Sequence, residues 1–259
     1  MGLDGIDGLL LDMDGVLGVS WTPLPGAAEA VQRLHAARPV RLLTNTTAYP
    51  QAKFGVVLRD NGFPFADDEI LTASVLAGAW LRAERPGARV FLVGDAQPED
   101  LAGVELVGAD EAPDVVLLSG ADESFCFETF NTVLSLLRGG AELAAMHRNL
   151  FWMTRRGERL DAGAYLLGLE AATGLEAVVL GKPAASSFRA GLDSLGVSAD
   201  RTLMVGDDVQ NDVLAAQALG ITGVLVRTGK FRDDQLARAS GTPDLIVDSI
   251  CDVPALLGL

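Results

Sequence analysis

Short β-rich runs alternate with amphipathic helical stretches throughout the 259 residues, which predicts an α/β fold. The expected architecture is a doubly wound, Rossmann-like parallel sheet with a smaller α/β domain inserted into it. Two further observations support this reading. Polar and acidic residues follow directly on several apolar runs, where an open parallel sheet places its ligand site, beyond the carboxyl ends of its strands. In addition, the middle of the chain carries a complete set of strands, helices and turns of its own.

The first strand-like run is Gly8–Leu11. The others are Val40–Leu43, Arg89–Val93, Val115–Leu118, Leu203–Val205, Val224–Val226 and Leu245–Val247. Between them, Ala27–Ala37 sets Ala30, Val31 and Leu34 on one helical face. Phe188–Leu195 and Val213–Leu219 behave alike, each stopping near a glycine, Gly196 or Gly220. The inserted domain is expected over residues 79–179, with turns at Arg138-Gly139-Gly140 and Arg156-Gly157-Glu158. Residues 1–78 and 180–259 then form the core domain.

The formal net charge is −15 and the pI is about 4.4. Such a surface repels nucleic acid and anionic membranes, so neither is expected as a partner. No apolar run reaches the ~20 residues that cross a bilayer, and residues 1–20 show no basic leader. A cytoplasmic protein is the expectation. Cys126 and Cys251 fit no metal spacing and read as free packing thiols.

Four segments carry the chemistry. Gly8–Leu11 ends in Asp12-Met13-Asp14-Gly15, and Val40–Leu43 ends in Thr44-Asn45-Thr46-Thr47. Gly181-Lys182-Pro183 follows the short run Val178–Leu180. Leu203–Val205 ends in Gly206-Asp207-Asp208, with Asn211 and Asp212 just beyond. Each alone is an ordinary turn or cap; all four after apolar runs, in this order, form a set. Asp12, Asp14 and Asp207 are hard oxygen ligands suited to Mg²⁺ and a substrate phosphate. An aspartate can attack phosphorus. Thr44 offers a hydroxyl and an N–H, Asn45 another N–H, and Lys182 a point charge for phosphate oxygens.

These motifs resemble those of the haloacid dehalogenase superfamily of phosphatases over essentially the whole chain. The insertion resembles that superfamily's larger α/β cap, as in the p-nitrophenyl-phosphatase and NagD-like branch. Gly140-Ala141 to His147, Ala171-Ala172-Thr173-Gly174 and Val179–Pro183 narrow the likeness to the group with phospholysine phosphohistidine inorganic pyrophosphate phosphatase. The resemblance implies Asp12 as nucleophile and Asp14 as general acid/base. It implies Mg²⁺ on Asp12, Asp207 and the backbone carbonyl of Asp14, and phosphate on Thr44, Asn45 and Lys182. Asp208 and Asp212 would stand behind these ligands. Members of that group often carry Ser where this chain has Asp14; Asp is the fuller catalytic pattern, and the departure loosens the inheritance of substrates.

The expected activity is hydrolysis of a small phosphate monoester or pyrophosphate-like compound. The alternatives are a phosphotransferase or mutase using the same aspartyl-phosphate, and a non-catalytic phosphate-binding module. Caps of this type often dimerise, which leaves a homodimer open. Within the insertion, Asp122, His147 and Arg148 follow strand-like runs and are candidates for substrate specificity. Val226-Arg227-Thr228-Gly229-Lys230-Phe231 approaches a nucleotide P-loop. Its glycine spacing is one residue too long and Phe231 replaces the metal-binding hydroxyl, so it is set aside.

Overall fold

The computed structural model describes residues 3, 5–19, 21–154 and 157–259. Arg156, which opens one of the expected turns, lies outside them. The chain begins with β1 (Gly8–Leu11), a small hairpin of β2 (Gly18–Val19) and β3 (Thr22–Pro23), and helix α1 (Ala27–Ala37). β4 (Val40–Thr44), α2 (Gln51–Asp60) and β5 (Ile70–Thr72) follow. Helix α3 (Ala73–Glu84) leads to β6 (Arg89–Val93), β7 (Glu105–Leu106), β8 (Val115–Leu118), α4 (Phe127–Arg138) and β9 (Glu142–Ala145). A hairpin of β10 (Phe151–Thr154) and β11 (Gly157–Leu160) precedes α5 (Ala162–Thr173) and β12 (Val178–Val179). The chain then returns through α6 (Ala185–Leu195), β13 (Thr202–Gly206) and a π-helical turn, Val209–Leu214, that runs into α7 (Ala215–Gln217). It closes with β14 (Thr222–Val226), α8 (Asp233–Ala237), β15 (Leu245–Val247) and α9 (Val253–Leu256).

Two parallel sheets organise these elements. The first runs β15-β14-β13-β1-β4-β5, which in chain order is the doubly wound 3-2-1-4-5-6 arrangement read from its other edge. The order reverses between β1 and β13, the position where such sheets open a ligand crevice. β1 is buried along its whole length, because helices cover both of its faces and alternation is lost. Leu9 and Leu11 pack with Val31, Leu34 and Phe54 on one side. Leu10 packs with Leu43, Phe188 and Met204 on the other.

The second sheet runs β12-β9-β8-β6-β7, again all parallel. One face buries Val116, Leu118, Val133 and Leu166, and the other buries Val115 and Leu117 against Ala73, Ala77 and Leu81 of α3. Leu76 of the same helix turns back into the first sheet's core. The domain division expected after residue 78 therefore falls inside an unbroken helix that packs on both sheets.

Two local expectations differ from the structure. Val213–Leu219, read as a helix, is helical only to Gln217, where the end of the π-helical turn runs into the short α7. Cys126 and Cys251, read as packing thiols, are exposed. No helix of the described residues is long and apolar enough to cross a membrane.

Candidate active site

β1 delivers Asp12 to the crevice. The Asp12 amide still donates to the Val205 carbonyl at 2.9 Å, so sheet pairing with β13 continues one residue past the strand. The chain then folds over itself, with the Met13 carbonyl accepting from the amides of Val16, Leu17 and Gly18. Gly15 makes this possible. Its φ is +84°, and a Cβ there would lie 1.8 Å from Asp207 Oδ2.

The carboxylates of Asp12, Asp207 and Asp212 converge within 4.8 Å of one another, all buried. Lys182, also buried, bridges two of them. Its Nζ donates to Asp12 Oδ1 at 2.6 Å and lies 2.7 Å from Asp212 Oδ1. Burial pushes the Asp12 carboxyl above its ordinary range, and the Lys182 ammonium opposes that. Burial works against the Lys182 charge too, but Asp12 and Asp212 outweigh it and hold the ammonium firmly protonated. Asp12 and Lys182 lie in salt-bridge contact. Asp207 is raised well above an ordinary aspartate by burial and by the charges of Asp12 and Asp212.

Lys182 arrives from an unexpected side. Of the four motif-bearing runs, three end strands of the six-stranded sheet, whereas the run before Lys182 contains β12, the edge strand of the other sheet. Asn45 locks it in place. The Asn45 side chain accepts from the Lys182 amide at 2.9 Å and donates to the Lys182 carbonyl at 2.9 Å. Thr44 is buried, its hydroxyl accepting from the Thr46 amide at 3.2 Å.

The π-helical turn serves the same cluster. Asp208 caps it, with Oδ1 accepting from the amides of Gln210 and Asn211 and Oδ2 from the Asn211 side chain at 2.8 Å. The Asp208 carbonyl then accepts from both Asp212 and Val213, the widened geometry that π-bulges bring to functional sites. Asp212 Oδ2 accepts from the Asp208 amide at 3.2 Å while Oδ1 faces Lys182. Asp212 thus takes part in the ionic cluster itself.

Asp14 opens onto the cavity by its accessible surface, yet protein encloses it closely. That enclosure raises its carboxyl, against the opposing charges of Lys230 and then Lys182. A cavity of about 320 Å³ extends from this cluster to the carboxyl end of the second sheet. There Thr47 donates to Asp95 Oδ1 at 2.6 Å and accepts from the Gly120 amide at 3.2 Å. His147 is buried, with Nδ1 accepting from the Asn149 amide at 3.4 Å and Nε2 lying 3.9 Å from Asp161 Oδ2. Trp21 and Trp152 also line the cavity.

Asp12, Asp14, Thr44, Asn45, Lys182, Asp207, Asp208, Asp212 and His147 therefore share one cavity. Arg148 and Asp122 do not. The Arg148 guanidinium pairs with Glu170 on α5, and Asp122 Oδ1 holds the Ser124 amide and hydroxyl. Asp95, Asp161, Lys230 and Trp21 were missed. Asp95 had a signal, because Gly94-Asp95 follows the predicted strand Arg89–Val93. Asp161 reads only as the N-cap of α5, which it also is.

The donor set fits a small hard cation. Asp207 Oδ1 is buried without a hydrogen-bond partner, and its other oxygen accepts from the Lys230 amide at 2.7 Å. An orphaned buried carboxylate oxygen is costly, and here it lies among the converging carboxylates of Asp12 and Asp212. Such crowded acids suit Mg²⁺ and an all-oxygen shell.

Known proteins resemble this chain over most of its length. Residues 9–107 match the model of the haloacid dehalogenase-like hydrolases, and residues 179–253 match a HAD-hydrolase-like model. The human haloacid dehalogenase-like hydrolase domain-containing protein 2 is 33% identical over 93% of this chain and 92% of its own length. Rat phospholysine phosphohistidine inorganic pyrophosphate phosphatase is 31% identical over 98% and 95%. Among solved structures, p-nitrophenyl phosphatase from Archaeoglobus fulgidus superposes with a TM-score of 0.89 at 30% identity, over 96% of this chain and 98% of that one. NagD from E. coli K-12 superposes at 0.82 with 26% identity, over 97% and 98%. The chain belongs to the haloacid dehalogenase-like hydrolases, in the branch of the p-nitrophenyl phosphatases and NagD.

Proposed function

We propose that this hydrolase is a magnesium-dependent phosphatase that cleaves a small phosphate monoester through an aspartyl-phosphate on Asp12. The observation that carries this reading is the buried Asp12, Asp207, Asp212 and Lys182 cluster at the strand-order reversal, with one Asp207 oxygen left orphaned. The Asp12 carboxylate attacks phosphorus as the bond to the leaving oxygen breaks. Asp14, whose raised carboxyl keeps a proton more readily than an ordinary aspartate, donates it to that oxygen. Asp14 then takes a proton from water, which attacks phosphorus and releases phosphate, restoring Asp12. Lys182, Thr44 and the Asn45 amide hold the phosphate oxygens. Asp12, Asp207 and the Asp14 carbonyl would hold Mg²⁺, which when bound neutralises phosphoryl charge.

The test is turnover of p-nitrophenyl phosphate by the purified protein with Mg²⁺, following p-nitrophenol and free phosphate together. Equal release of both, without an added acceptor, is the expected result. Phosphate that appears on an acceptor and never free would identify a transferase. No turnover of any ester in a broad panel would leave only a binding module.

A further inference from the structure

The segment Thr228-Gly229-Lys230 failed as a nucleotide loop, yet the fold presses it against the catalytic turn. The Thr228 hydroxyl donates to the Gly15 carbonyl. Gly229 has φ +61°, and a Cβ there would lie 2.4 Å from Gly15 Cα and 2.0 Å from Asp207 Oδ2. The Lys230 amide donates to that same Asp207 oxygen. Three anchors therefore fix the backbone from which the Lys230 side chain reaches the cavity wall.

Two lysines line this cavity among the described residues, and their ammonium groups are placed differently. Lys182 is paired with two carboxylates. Lys230 is also largely enclosed, and Asp207, Asp208, Asp12 and Asp212 are near enough to hold it protonated against the cost of burial. Even so, its ammonium forms no ion pair within 4.0 Å among the described residues, although acids surround it. An ordinary surface lysine would be hydrated or paired. One fixed in a cavity wall beside a phosphate site, and left unpaired, is suited to an anionic oxygen that arrives with the substrate.

We propose that Lys230 is a second cationic ligand for substrate, its ammonium binding an anionic phosphate oxygen that Lys182 does not reach. The proposal rests on the phosphatase reading and adds a ligand outside the four motifs. That oxygen belongs either to the transferred phosphoryl group or to a second phosphate on the leaving side, and the two are separable. Substitution by glutamine removes the charge but leaves the backbone bond from residue 230 to Asp207.

The test measures binding of three probes to wild-type, Lys230→Gln and Lys230→Arg proteins by calorimetry. Mg²⁺ is titrated alone; inorganic phosphate and pyrophosphate are titrated with Mg²⁺ present. In K230Q, phosphate affinity should fall about tenfold, the value of one lost charge-assisted contact. Mg²⁺ affinity should hold or tighten, because a positive charge has left the neighbourhood of the carboxylates. K230R should keep most of the phosphate affinity. A loss confined to pyrophosphate would support the ligand role and assign the oxygen to the leaving side. Unchanged affinity for both anions overturns the proposal, as does a joint weakening of Mg²⁺ and phosphate in both variants, which marks a structural role. Failure of the phosphatase reading shows separately, as wild-type protein that turns over no ester.

Discussion

The two sheets aim their carboxyl ends at one cavity and equip it differently. The six-stranded sheet reverses order between β1 and β13 and brings negative charge there: Asp12, Asp207 and Asp212, around a Lys182 that arrives from beyond β12 of the other sheet. The five-stranded sheet is also doubly wound, in chain order 2-1-3-4-5, with its own reversal between β6 and β8. What it brings is mostly hydrogen bonding. Asp95 follows β6 and meets Thr47, Gly120 follows β8, and His147 follows β9 beside Asp161. One architecture thus supplies both walls of the site. On the proposed reading, the ionic wall would hold the phosphate that all candidate esters share, and the hydrogen-bonding wall would face what distinguishes them.

The largest expected effect falls on the ionic wall. Asp12→Asn keeps the shape of the side chain but removes the proposed nucleophile, so kcat should drop by more than about 10²-fold with the fold retained. A folded variant that keeps more activity would clear Asp12 of that role.

Chelation should act on the same wall, with a pH signature. EDTA should abolish turnover and Mg²⁺ restore it, while excess Ca²⁺ inhibits because it accepts more ligands at longer distances. In the metal-free protein, Asp12, Asp207 and Asp212 carry raised carboxyls, Asp212 up to about 7, chiefly through burial. The folded state then binds more protons than the unfolded chain between about pH 4 and pH 7. Metal-free stability should therefore fall as pH rises through that window. Mg²⁺ held by Asp12 and Asp207 would displace the protons they carry, so the rise in Tm that it causes should be small at pH 5 and larger at pH 8. A Tm increment independent of pH would mean that the metal binds away from these carboxylates.

The contrast between the walls also explains what was legible in the sequence. The ionic wall was readable because its acids follow directly on apolar runs, and buried charge in such numbers has few structural uses. The strand order was not readable, because alternation gives elements and not neighbours. Lys182 is legible as a polar group after an apolar run, but not as following a strand of the other sheet, which no local pattern reveals. The second wall was mostly missed because its groups double as structure: Asp161 caps α5, and Thr47 is satisfied by Asp95. Trp21 left no signal at all. It reaches the cavity through a positive φ of 68°, which a sequence does not announce for a bulky residue.

A smaller effect is expected from the second wall. His147→Gln should alter KM or reorder preference among large phosphate esters by up to about tenfold. It should spare the metal dependence. Equal loss on every substrate would move His147 out of the specificity wall and into the fold or the chemistry.

The smallest effect sharpens the comparison most, because it concerns the next residue. Sequence reasoning groups Arg148 with His147, but the structure sends the two side chains to different places. His147 faces the cavity, whereas the Arg148 guanidinium lies against α5, on a Glu170 oxygen that also accepts from the Ala177 amide at 2.9 Å. Arg148→Ala should leave KM unchanged across the substrate panel. Its cost should be structural and modest, about 0.5–1 kcal/mol for a partly exposed pair screened by solvent, read as a small drop in Tm. Glu170→Ala removes the same pair and also orphans the Ala177 amide, so it should cost more. The double variant should cost less than the sum of the two, since both single variants lose one shared contact. A KM that rises for substrates with anionic leaving groups would instead show Arg148 leaving Glu170 for the cavity, and the line drawn here between the two walls would have to move one residue along the chain.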